Sequence, residues 1–314
     1  MGKFLLILGR GVGQVMFQNN ALSGALMLVG ILLNSWQMAL LAVAGNVIST
    51  LTAYISGYSR EDINNGLYGF NGTLVGIAVG VFMSVTVGSL VWLVLASCLS
   101  TWIARLLGLQ RFLPGFTAPF ILAVWILLAV CAWMFPALLL SSGDASGEQS
   151  LAFFRAFSLN IGQVMFQGSS IWTGVLFLLG ILVNSRVNAC YTVLGALLPI
   201  PVAILLGVET TAMNAGLMGY NGVLCAIALG DKTWKGGAYA IFSVLLSVMF
   251  QLWGMNAGIT TLTASFVLSV WVTLGLQKGM RAEPIYTFFR EERVNEFISI
   301  FAVGTVNKES FICL

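Results

Sequence analysis

The sequence predicts an all-α polytopic membrane protein made of two inverted homologous halves. Each half holds five transmembrane helices and one short segment that dips part-way into the bilayer. Three observations lead there. The first is composition: hydrophobic residues make up 59% of the chain and charged residues 8%, with a mean hydropathy of +0.96. A soluble domain carries roughly a quarter charged residues. The apolar runs here are continuous over about 20 residues, as a spanning helix needs, and do not alternate as barrel strands do. The second is a duplication. Gly13 to Gln18 (GQVMFQ) returns unchanged at Gly162 to Gln167, and Leu28 to Ser35 (LVGILLNS) returns as Leu178 to Ser185 (LLGILVNS). GLYGFNGTLVGIAVG at 66–80 returns as GLMGYNGVLCAIALG at 216–230, and Thr117 to Ile126 (TAPFILAVWI) as Thr263 to Val272 (TASFVLSVWV). The third is the placement of basic residues, taken up below.

The elements follow in order. Residues 1–140 form the first repeat. Its GQVMFQ block lies too near the start for a full span to precede it. Apolar runs cover about 21–33, 37–57, 65–83, 87–104 and 116–140. The acidic, small-residue stretch 141–150 links the halves. Residues 151–280 form the second repeat, with the second GQVMFQ block and runs at about 171–184, 187–207, 213–229, 237–254 and 260–276. Residues 281–314 form a mixed-charge C-terminal tail. In it, 285–303 has the spacing of an amphipathic helix lying at a surface rather than spanning. The opening MGKFLLILG is too short for a removable signal, and Leu6 breaks the myristoylation pattern.

With the N-terminus inside and ten spans alternating, Lys3, Arg10, Arg60, Arg105, Arg111, Arg186, Lys232, Lys235 and the basic residues of the tail all fall inside. Only Arg155 of the fourteen falls outside, as the positive-inside rule requires. Both termini are then cytoplasmic. Five spans per half is odd, so the second half enters upside down. Inverted repeats of this kind carry their solute pathway at the repeat interface near the midplane.

Several function classes drop out. The net charge of +3 is scattered rather than clustered, so there is no nucleic-acid footprint. The chain has no histidine. Its cysteines at 98, 131, 190, 225 and 313 form no CxxC, so neither a metal nor another cofactor is expected. No nucleophile–base pair suggests an enzyme. No Asp, Glu, Lys or Arg falls near the middle of any predicted span. Ion-coupled transporters usually keep such a group, so its absence points to passive passage of an uncharged solute.

Amides and hydroxyls stand in its place: Gln14, Gln18, Asn71, Thr117, Gln163, Gln167, Asn221 and Thr263. Buried in hydrocarbon without partners they cost several kcal/mol each, so they face partners or a wet cavity. Asn71 and Asn221 sit between glycines and read as caps of a helix break. Gln14 and Gln163 each precede a Phe (Phe17, Phe166) by three residues, which puts amide and ring on one helical face of a pathway. Phe70 with Leu74, and Tyr220 with Leu224, are spaced by four and offer a narrow apolar slot. Ordinary core or lipid-facing packing is the other reading of that spacing. Gly72, Gly76 and Gly80, echoed by Gly222, Ala226 and Gly230, predict close helix packing. Rings flanking a line of hydrogen-bonding groups suit a small, flat, neutral, polar solute.

At these residues the sequence resembles the urea transporter family. The GQVMFQ blocks, the G-x-x-G-[FY]-N-G repeats and the TAPF block at Thr117 to Phe120 carry the resemblance, which runs over about 11–276. It implies two inverted halves, each of five transmembrane helices plus one tilted half-membrane helix, with the pore at the repeat interface. It further implies a homotrimer in the lipid bilayer with a pore in each protomer, passive conduction of urea, and, in a bacterial member of this size, an inner-membrane location. By position Gln14 and Phe17 match one half-helix, and Gln163 and Phe166 the other. Phe70, Leu74, Tyr220 and Leu224 match the slot residues, and Thr117 and Thr263 the hydroxyls of a tight middle site. The sequence departs from the family pattern at Gln163, where some members carry Glu, at Tyr220, where Phe is common, and at Ser265, which replaces Pro in the second TAPF copy. A channel for another small amide or for ammonia, or an ion-coupled transporter, are the alternatives.

Overall fold

The computed structural model describes residues 2–109, 113–140 and 150–280. Arg111, most of the acidic linker, the tail with its predicted amphipathic stretch, and Cys313 lie outside the described residues. The chain clusters into two units, Met1–Trp271 and Val272–Leu314. Of the second, only the end of a helix is described.

Helices account for about four-fifths of the described residues. In the first half they are α1 Gly2–Gln14, α2 Ala21–Asn34, α3 Trp36–Ile55, α4 Arg60–Asn64, α5 Gly69–Phe82, α6 Val87–Leu109 and α7 Ala118–Met134. The second half brings α8 Phe153–Gly162, α9 Ile171–Asn184, α10 Arg186–Leu197, α11 Pro199–Leu205, α12 Thr210–Asn214, α13 Tyr220–Leu229, α14 Trp234–Asn256 and α15 Ala264–Met280. The order repeats, with α10 and α11 together standing where α3 stands. Among the described residues the one non-helical pairing is an isolated antiparallel bridge between Met83 and Leu139. The chain is thus all-helical with several apolar helices, the make-up of a polytopic membrane protein.

Four helical stretches are at least 18 residues long and apolar enough to cross a membrane: Trp36–Ile55, Val87–Leu109, Arg186–Leu205 and Trp234–Asn256. The other apolar helices span 10–17 residues, and several are shorter than the runs in the sequence. The run at 65–83, for example, yields a helix only over Gly69–Phe82. At 1.5 Å per residue, 14 residues reach about 21 Å, short of a bilayer core of about 30 Å. The reason is local. Gly66 takes φ +74°, and a Cβ there would stand 2.4 Å from the Gly11 nitrogen. The chain must turn against α1 before α5 can start.

Glycine also sets how closely the helices meet. A Cβ on Gly45 of α3 would lie 2.0 Å from the Gly72 carbonyl oxygen on α5, and one on Gly72 would lie 2.1 Å from the Gly45 oxygen. The two backbones are in direct contact, as the small-residue ladder on α5 predicts. Between the halves α2 packs on α9. Phe177, fully buried, lies over Gly30, and the Thr173 hydroxyl donates to the Gly30 oxygen at 3.1 Å. Asn34 Oδ1 accepts from the Ser169 and Ser170 amides at 3.2 and 3.1 Å, so the end of α2 holds the turn that leads into α9.

Candidate functional site: a line of rings, amides and hydroxyls

Each GQVMFQ block ends a short helix in the same way. α1 stops at Gln14, while α8 stops at Gly162 and runs into a 3-10 turn over Gln163–Met165. Phe17 and Phe166 then take left-handed conformations, φ 61° and 59°. The Gln18 amide donates to the Gly13 oxygen (3.0 Å) and the Gln167 amide to the Gly162 oxygen (3.1 Å), the long closing bond of a Schellman motif. Glycine usually fills this position, because a side chain there costs on the order of 1–2 kcal/mol. Two phenylalanines held there point to a constraint from function rather than folding. Gln18 and Gln167 are fully buried and donate to the Met16 and Met165 oxygens. They staple the turns, and Gln18 Oε1 also accepts from Asn184 Nδ2 of the second half at 2.9 Å.

Gln14 and Gln163 are half-buried. Gln14 Nε2 donates to the Asn65 oxygen at 3.0 Å and Gln163 Nε2 to the Ala215 oxygen at 2.8 Å. With the nitrogen engaged, each side chain presents its carbonyl Oε1 as an acceptor. One turn before Gln14, Arg10 Nη1 donates to the Asn64 oxygen at 3.0 Å. The second half has Leu159 at the matching position.

The rings of Phe17 and Phe166 each meet a ring of the opposite half. Phe17 stands edge-on to Phe266 (6.0 Å, 68°) and to Phe116 (6.0 Å, 85°), and Phe116 meets Phe266 at 5.2 Å. Phe166 stands edge-on to Phe120 (6.1 Å, 74°) and to Phe82 (6.1 Å, 83°). Phe120 and Phe266 are the repeated rings of the TAPF and TASF blocks. They carry a duplication signal, although the sequence analysis did not single them out. Phe82 and Phe116 have no aromatic counterpart in the other half, so no repeat marked them.

Between the two aromatic clusters the halves touch through hydroxyls. Thr117 and Thr263 are buried, and their Oγ1 atoms lie 2.7 Å apart in a direct hydrogen bond. The residue before each is left-handed: Phe116 at φ 43° and Leu262 at φ 48°. The residue after each begins α7 or α15. Asn71 Oδ1 accepts from the Phe120 amide (3.2 Å) and Asn221 Oδ1 from the Phe266 amide (3.1 Å). These asparagines therefore cap α7 and α15 in the first turn, not the helix break in which they sit. Trp125 Nε1 donates to the Thr260 oxygen and Trp271 Nε1 to the Pro114 oxygen, at 2.8 and 2.9 Å, a reciprocal clasp between the halves.

The slot residues are less uniform. Leu74 and Leu224 are fully buried. Phe70 is half-buried and makes none of the ring contacts above. Tyr220 is buried, with its hydroxyl 2.5 Å from the Leu262 oxygen, 3.2 Å from Thr261 Oγ1 and 3.3 Å from Gln251 Oε1. Gln251 also accepts from Asn221 Nδ2 (3.0 Å) and the Ser265 hydroxyl (3.2 Å). Gln251 was not foreseen; a lone Gln in the otherwise apolar stretch FQLWG was its only signal. Among the described residues no group of His, Cys, Asp or Glu is placed to hold a metal.

Residues 5–278 match the family described as Urea transporter. The chain belongs to the urea transporter family. It is 31% identical to urea transporter 1 of Mus musculus over 265 residues, which cover 77% of this chain and 67% of that protein. Identity to urea transporter 1 of Rattus norvegicus is 30%, with the same coverage, and to that of Ovis aries 28% over 293 residues, 84% of this chain and 75% of the relative. Membership in a transporter family makes the chain a membrane transport protein and not an enzyme.

Proposed function

We propose that the chain is a passive channel for urea in the bacterial inner membrane. The solute path runs from Gln14 and Phe17 past Phe70 and Leu74 to the Thr117–Thr263 pair. From there it passes Leu224 and Tyr220 to Phe166 and Gln163. The two halves, 1–140 and 151–280, are inverted repeats joined by 141–150, each five spans plus a half-membrane helix, and the pathway lies at their interface. Both termini are cytoplasmic, and the protein works as a homotrimer.

The observation that carries this proposal is the Thr117–Thr263 bond. It brings the matching hydroxyls of the two halves to one point, where the N-termini of α7 and α15 also meet. A helix N-terminus carries roughly half a positive charge. Two converging on one constriction repel cations and favour a carbonyl oxygen. The threonine hydroxyls and the Gln14 and Gln163 oxygens then supply acceptors for N–H groups. A planar molecule with one carbonyl and two amino groups meets all of these at once, and edge-on rings on either side exclude hydrated ions.

The test is urea flux into proteoliposomes by stopped-flow light scattering with no ion gradient. Fast flux, nearly linear in urea and unchanged by proton or sodium gradients, is expected. Flux equal to that of empty liposomes rejects urea as the solute. A flux that requires a gradient rejects the passive mechanism.

A further inference from the structure

The two halves hold the centre of the pathway by different means. Thr117 is delivered by the left-handed Phe116, whose ring packs on Phe17 and Phe266. Thr263 is delivered by the left-handed Leu262, which is buried and has no ring. Its carbonyl is instead held by the Tyr220 hydroxyl. The one proton of that hydroxyl is turned to the Leu262 oxygen, with Gln251 Oε1 a second, longer acceptor at 3.3 Å; the same Gln251 oxygen accepts from Asn221 Nδ2 and the Ser265 hydroxyl. Asn221 caps α15, and Ser265 lies in its first turn. So the amide oxygen of the buried Gln251 joins three groups at the start of α15: Asn221, Ser265 and, through the longer contact, Tyr220.

The first half has none of this. Phe70 stands where Tyr220 stands, and Pro119 where Ser265 stands. α6, which fills the place of α14, contains no amide or carboxylate side chain. Asn71 keeps its cap, but its Nδ2 is buried without a partner. The Tyr and Ser at 220 and 265 meet at one side chain. They come with Gln251 and make one polar cluster.

We propose that Gln251 is a positioning residue for conduction, acting through Tyr220 and Leu262 on the Thr263 hydroxyl. This rests on the urea-channel function proposed above. Removing a buried acceptor strands its donors and typically costs 1–3 kcal/mol per group. Gln251→Leu strands the Asn221 amide and the Ser265 hydroxyl, and frees Tyr220 to move with Leu262.

The test is a set of double variants in proteoliposomes, read for urea flux and for melting temperature. Gln251→Leu is expected to slow urea about tenfold, the effect of about 1.4 kcal/mol at the barrier. Tyr220→Phe, which removes one oxygen and keeps the ring, slows it similarly and serves if Gln251→Leu does not fold. Adding Thr263→Val to either variant slows flux no further than Thr263→Val alone, because the group acted upon is gone. Adding Thr117→Val multiplies the two effects. Wild-type flux in Gln251→Leu, or full multiplication with Thr263→Val, overturns the proposal. Melting temperature separates this from the choice of solute. If Gln251→Leu and Tyr220→Phe share their loss of melting temperature while the wild type passes no urea, the cluster stands and the urea assignment falls. Additive losses overturn the cluster itself.

Discussion

At the residue scale the decisive feature is a set of four non-glycine residues in left-handed conformation: Phe17, Phe116, Phe166 and Leu262. They are two pairs related by the duplication, and each lies at or next to a candidate pathway group. Strain kept twice at matching positions is what a fixed constellation requires. Replacing Thr117 and Thr263 together by Val keeps volume and removes both hydroxyls. Urea flux in proteoliposomes is expected to fall by at least tenfold, since the solute then sheds water without replacement. An unchanged rate moves the constriction elsewhere. Phe166→Ala removes the ring that meets Phe120 and Phe82 and should loosen selectivity between urea and larger amides. Phe70→Ala separates the two readings of its spacing: altered flux or selectivity puts that ring in the pathway, and wild-type behaviour makes it packing.

At the scale of elements, the short helices were the least legible part. The sequence shows ten apolar runs, most of them of spanning length, and several become helices of 10–17 residues. Hydropathy reports where a segment is apolar, not where its backbone turns. The turns at Gly66 and Gly216 are set by contact with α1 and α8, elements far away in sequence. The repeated blocks, by contrast, were legible because duplication marks both copies. They include the rings at 17 and 166, the threonines at 117 and 263, and the unremarked rings at 120 and 266. What occurs in one half only had no such mark, and Phe82, Phe116 and Gln251 were missed for that reason. The α3–α5 contact gives a prediction of its own. Gly72→Ala forces a methyl into the Gly45 carbonyl and should cost about 1–3 kcal/mol or more, because two backbones cannot repack as side chains do. Gly108→Ala, at an α6 position with nothing within 4 Å, should be neutral or slightly stabilising. Thermal unfolding in detergent checks both.

At the scale of the whole molecule, the proposed pathway presents nearly the same groups from the two halves in mirrored order: amide, ring, hydroxyl, hydroxyl, ring, amide. A solute arriving from either face meets the same sequence of partners, so initial urea flux should be close to equal for inward and outward gradients of the same size. The exceptions are Arg10, one turn before Gln14 at one end of the proposed path, and the Tyr220–Gln251 cluster beside Thr263 at its centre. Arg10→Leu is expected to leave urea flux within a few-fold of wild type while admitting more methylammonium, a cation that a fixed guanidinium repels. Equal methylammonium exclusion in the variant assigns the barrier to the helix termini at the centre.

The hydrogen bond between Thr117 and Thr263 also bears on what happens when nothing is passing. With each hydroxyl partnered by the other, the centre of the proposed pathway has its polar needs met from within. A continuous file of water would have to break that bond to form. Such a file is the route along which protons hop. In the urea channel proposed above, a pathway that rests closed in this way and opens only as urea displaces the threonine bond does not dissipate the proton gradient of the membrane that holds it.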